Sequence, residues 1–136
     1  AFWCIAAGVI GGLVAAIFGL IDWLNIPAGT RAKTIGMWHG LGNVVVLALF
    51  AVSWLLRRGD PSLVPDTLAF VLALAAAVLS VVTSWLGGEM VSRLGVGVDR
   101  GAHLDAPSSL SGRPADSGRQ RESGSAQPLR EREATG

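Results

Sequence analysis

Three stretches of the chain run almost free of charge for about the length of a bilayer crossing. They are residues 2–24 (FWCIAAGVIGGLVAAIFGLIDWL), uncharged before Asp22, then about 36–56 (GMWHGLGNVVVLALFAVSWLL) and about 67–86 (TLAFVLALAAAVLSVVTSWL). A helix of about 20 apolar residues, rising about 1.5 Å each, covers the hydrocarbon core. Core helices of soluble proteins keep a polar face, and these stretches have none. The connecting segments, NIPAGTRAKT and RRGDPSLVPD, carry the proline, glycine and paired basic residues that stop helices and sit among head groups. The pattern predicts an all-α fold, a polytopic transmembrane helical bundle with three helices in this chain.

The tryptophans support the same spans independently. Trp3, Trp23, Trp38, Trp54 and Trp85 all fall near a segment end, where an amphipathic indole prefers the membrane interface. On the first helix Gly8, Gly12, Ala15, Gly19 and Asp22 recur at helical spacing, a row of small residues that lets another helix approach closely. A comparable row on the third helix, Ala73, Ala76, Ala77, Ser80 and Ser84, could face it. Packing within the chain is favoured over a dimer interface, because a polytopic chain must first pack its own helices.

Composition adds a second region. Hydrophobic residues make up 51% and charged residues 15%, against about a quarter charged in ordinary soluble domains. From Ala106 onward the chain turns to Ser, Gly, Pro, Arg, Glu and Gln. Such a segment buries too little apolar surface to offset its conformational entropy. The expected division is therefore a membrane domain over 1–105, ending in a glycine-rich interfacial segment, and a disordered polar tail over 106–136. A net charge of +1 leaves no basic excess for nucleic acid, and the single cysteine, Cys4, excludes a disulfide framework. Arg31, Lys33, Arg93 and Arg100 on one side outnumber Arg57 and Arg58 on the other, which puts the first loop and the tail in the cytoplasm. The chain opens at Ala1 directly into apolar sequence, without the basic region of a signal peptide. That start reads as a truncation, with a fourth helix upstream and both ends cytoplasmic.

Polar residues in apolar segments carry the candidate chemistry. Asp22, His39, Asn43 and Glu89 are expected at one depth, toward the same end of the bundle, with His39 and Asn43 an i, i+4 pair on one helical face. Such a cluster suits a proton relay, an ion, or hydrogen bonds between helices; the plainer alternative leaves Asp22 and Glu89 wet at the head groups. His39 is also a candidate haem ligand. His103 lies beyond the third helix, so a bis-histidine haem b site would need its second ligand from outside this chain. No nucleophile elbow, phosphate loop or zinc spacing appears. In GGEMVSRLGVGV, Gly87 and Gly88 are expected to end the third helix.

The succession GLIDW (19–23), IPAGTRAKTIG (26–36), HGLGN (39–43) and above all SWLGGEMVSRLGVGV (84–98) resembles the bacterial membrane family catalogued as domain of unknown function 2231. The resemblance covers roughly residues 1–105. It implies a four-helix membrane protein of the bacterial inner (plasma) membrane with no settled activity, and a His-Pro pair in a first helix that is missing here. Matching positions are Asp22, His39, Asn43, Gly87, Gly88, Glu89, Gly95 and Gly97; at Ser92 the family more often has Tyr. Two functions follow as expectations. The favoured one is a structural or accessory membrane subunit, not an enzyme, whose partners are the lipid bilayer and other membrane subunits or further copies of itself. The alternative is a small redox or proton-handling protein that binds haem b through His39 and a histidine of the missing helix.

Overall fold

The computed structural model describes residues 1–59 and 62–117. Among them are three α-helices and one 3₁₀ turn, with no strand: α1 is Phe2–Asn25, α2 is Arg31–Arg57, α3 is Thr67–Ser92, and the 3₁₀ turn is Ser109–Ser111. All three α-helices are long and apolar enough to span a membrane. The chain divides into two units, Ala1–Val96 and Gly97–Gly136.

Local chemistry sets the helix ends. Gly29, at φ +77°, turns the chain after α1. Thr30 then caps α2, its hydroxyl oxygen accepting from the Lys33 N–H at 3.2 Å. The cap starts α2 five residues before the apolar segment, so RAKT forms a polar first turn. Asp66 caps α3 in the same way, accepting from the Ala69 N–H at 2.7 Å. The C-terminus of α1, which has no basic residue in its own last turn, borrows one from α2. The Lys33 ammonium donates to the Trp23 carbonyl at 2.6 Å and lies 3.9 Å over the Trp23 ring, while the Trp23 indole N–H donates to the Lys33 carbonyl at 3.0 Å. Charge, ring and carbonyl thus close the α1–α2 hairpin.

The third helix does not end at Gly87 and Gly88. It runs on to Ser92, and the chain turns at Gly95, φ +63°. A glycine ends a helix by adopting positive φ; Gly87 and Gly88 keep helical backbone, and Gly87 serves packing instead.

Helix α2 packs against both other helices, while the backbones of α1 and α3 do not approach each other closely. The small-residue rows of α1 and α3 therefore do not face each other. Glycines of α2 supply the close approach: a Cβ at Gly42 would lie 2.5 Å from Thr83 Cγ2, and one at Gly36 would lie 2.8 Å from Trp23 Cδ1 and 3.3 Å from Met90 Cε. Of the α1 glycines expected to pack, Gly12 abuts the Leu47 side chain of α2, whereas Gly8 and Gly19 have open space where a side chain would stand. Gly12→Leu should accordingly cost about 1–2 kcal/mol of overpacking, moderated because Leu47 can turn aside, and Gly19→Leu should be near neutral. Thermal unfolding in detergent checks the pair; equal effects would contradict this packing.

In the second unit, local bonds shape the described residues. The Asp99 carboxylate accepts from Gly101 N–H at 2.9 Å and the Ser108 hydroxyl oxygen from Leu110 N–H at 3.3 Å, both two residues on. Residues 106–117, the described part of the expected tail, include turns and the 3₁₀ turn. The rest of that expected tail, 118–136, lies outside the described residues.

Candidate functional site

A polar network forms where α2 crosses α3. Nδ1 of His39 lies 2.8 Å from the Thr83 carbonyl oxygen. A carbonyl only accepts, so Nδ1 carries the hydrogen, and in the neutral ring the lone pair then belongs to Nε2. The Asn43 amide stands at that lone pair, with Nδ2 3.2 Å from Nε2, and donates also to the His39 carbonyl at 2.8 Å. Thr83 closes the loop from α3: its hydroxyl lies 3.0 Å from the Ser80 carbonyl and 3.4 Å from Asn43 Oδ1. Its single hydrogen favours the shorter contact. Both ring nitrogens of His39 are thereby matched to groups of the correct polarity.

The register depends on the absence of two side chains. An α-helical carbonyl points along the helix toward the residue four positions on, whose Cβ flanks any outside donor. Here that residue is Gly87, and a Cβ on it would lie 3.0 Å from His39 Cε1. The missing methyl lets the imidazole reach the carbonyl. Gly42 does the same for Thr83 from the opposite helix. Thr83 is 3% exposed, so the network sits inside the helix pair.

The structure brings His39 and Asn43 together and leaves Asp22 and Glu89 outside their network. Asp22 is exposed near the end of α1 and makes no hydrogen bond or ion pair among the described residues. Glu89 pairs with Arg31 at 2.8 Å, joining the N-terminal turn of α2 to the last turns of α3. With Arg31 61% exposed, that pair contributes little stability. Among the described residues no group of three His, Cys, Asp or Glu side chains is placed to hold a metal ion.

A second polar contact fastens the far end of the same helix pair. Ser53 is fully buried and donates to the Ala69 carbonyl at 2.6 Å, against an alanine that is itself fully buried. His39 and Ser53 are fourteen residues apart, so the two fastenings stand about 21 Å apart along α2. Thr83 and Ser53 were not singled out from sequence. The signal available for Thr83 was its i, i+4 relation to Gly87, a hydroxyl one turn from a glycine on an apolar helix.

Comparison with curated proteins and with solved structures gave no match. The family model described as "Predicted membrane protein (DUF2231)" matches residues 1–100, which include all three spanning helices and every residue of the network. The chain belongs to this family of predicted membrane proteins.

Proposed function

We propose that the chain is a structural or accessory membrane subunit in which the α2–α3 pair is a rigid unit pinned by His39, Asn43 and Thr83. One observation carries the reading: the Nε2 lone pair of His39, the atom a metal would take, is occupied by the Asn43 amide. Haem ligation through His39 would need that amide to turn away and a second ligand to come from another chain or segment. The first nitrogen, held on a backbone carbonyl, is oriented as ligating imidazoles commonly are, so the two readings call for one decisive comparison.

His39→Gln keeps an amide donor for the Thr83 carbonyl. Under the structural reading it lowers stability by about 1 kcal/mol, the scale of an interhelical hydrogen bond in a membrane, and the detergent-purified protein shows no Soret band with or without added haem. A Soret band in the wild-type protein that disappears in His39→Gln would replace this reading with the redox one.

The same proposal places the protein in a bacterial inner membrane with the first loop and the tail cytoplasmic. Its support is the excess of Arg31, Lys33, Arg93 and Arg100 over Arg57 and Arg58. A reporter fused after Gly136 should read as cytoplasmic, and one in the α2–α3 loop as external; the reverse pattern would overturn the orientation and leave the spans intact.

A further inference from the structure

Arg57 ends α2 with its charge buried. Only 5% of the residue is exposed, yet among the described residues its guanidinium makes a single long hydrogen bond, Nη2 to Ser53 Oγ at 3.4 Å, and the buried Nε–H meets no acceptor there. A guanidinium offers five donors, and burying one without an anion is strongly unfavourable. One turn back on the same helix, the buried indole N–H of Trp54 also lacks an acceptor among the described residues. The Trp54 ring is stacked on Phe2 at 5.3 Å, and the Arg58 guanidinium lies 4.8 Å over it. Among the described residues, two arginines and an unpaired indole N–H thus converge at one end of the helix pair with donors in excess.

Position identifies what could supply the acceptors. Helix α2 has 27 residues and is therefore about 40 Å long, against a hydrocarbon core of about 30 Å. Its last turn reaches the head-group layer, where phosphodiesters are the abundant acceptors. Guanidinium groups match phosphate oxygens in a two-pronged geometry.

We propose that Arg57, with Arg58, forms a binding site for the phosphate of an anionic phospholipid at the α2–α3 end of the bundle, beside the Trp54 ring. The phosphate oxygens take the free guanidinium donors, and the Phe2–Trp54 stack flanks the glycerol and upper acyl region. The site is separate from the His39 network and does not depend on what that network does.

The test uses the full chain in nanodiscs of phosphatidylcholine, with or without phosphatidylglycerol, followed by native mass spectrometry and thermal unfolding. Wild-type protein should retain phosphatidylglycerol in preference to phosphatidylcholine and unfold at higher temperature when it is present. Arg57→Gln should weaken that preference about tenfold and Arg58→Gln by less, since Arg58 is the exposed member. Should Arg57→Gln fail to fold, Arg57→Lys keeps the charge, loses the fork and should still reduce the preference. Equal retention of the two lipids by wild-type protein would overturn the proposal, as would a preference unchanged in the Arg57 variants. Stabilisation by inorganic phosphate in pure phosphatidylcholine, equal to that given by phosphatidylglycerol, would assign the site to free phosphate and overturn the lipid assignment.

Discussion

Gly42→Leu is expected to separate α2 from α3 and to lower stability by about 3 kcal/mol, the largest loss of any single substitution considered for this chain. A Cβ at this position already falls 2.5 Å from Thr83 Cγ2. The atom it meets belongs to a β-branched residue that is 3% exposed, whose χ1 has little freedom to turn aside. The helices must move apart, and overpacking alone costs about 1–3 kcal/mol. Moving them apart also lengthens the 2.8 Å bond from His39 to the Thr83 carbonyl. Gly42→Ala should fall between the wild type and Gly42→Leu. Thermal unfolding in detergent gives the order, and a Gly42→Leu protein as stable as wild type would mean that this face of α2 points to lipid.

Gly87→Val is expected to act on the same interface from the other side, at about 2 kcal/mol, through a different atom. Its branched side chain would occupy the position of the imidazole, since even a single Cβ stands 3.0 Å from Cε1 and 3.4 Å from Nδ1 of His39. The ring is held at both nitrogens and so cannot shift without losing a hydrogen bond. Because the two substitutions share one network, their effects should not add, and the double variant should lose less than the sum. A second feature separates this substitution from a general packing defect: once the imidazole is displaced, adding His39→Gln to Gly87→Val should cost almost nothing. Full additivity in either pair would contradict the shared network.

The three spans were legible in the sequence because a bilayer crossing demands a long uncharged run, and only the outer turns escaped it. Thr30 is a capping residue, and its cap lengthens α2 into polar sequence where hydropathy gives no sign, whereas α3 starts where expected, after Asp66, and runs on past Gly87 and Gly88 to Ser92. The pairing of His39 with Asn43 was legible for a similar reason, since an i, i+4 relation is local to one helix. Asp22 and Glu89 depend on which helices are neighbours. Apolar patterning does not specify that in lipid, where every face of an apolar helix is tolerated. Sequence placed small-residue rows of α1 and α3 face to face; in the structure each packs against α2 instead, because Gly36 and Gly42 give it close-packing surfaces toward both. Gly87 illustrates the same limit. Read along the chain it resembles a helix stop, and only the position of His39 on the facing helix reveals it as the gap that lets an imidazole through.

The central claim, that His39 is a pin between α2 and α3 and not an open ligand, is tested most directly by which ring nitrogen carries the hydrogen. With His103→Gln removing the only other histidine, the ring nitrogen resonances of ¹⁵N-histidine-labelled protein in nanodiscs report His39 alone. The account predicts a protonated Nδ1 and an unprotonated, hydrogen-bonded Nε2, with the pattern lost in Gly87→Val. A ring protonated at Nε2, or one whose signals are unchanged by Gly87→Val, would contradict it.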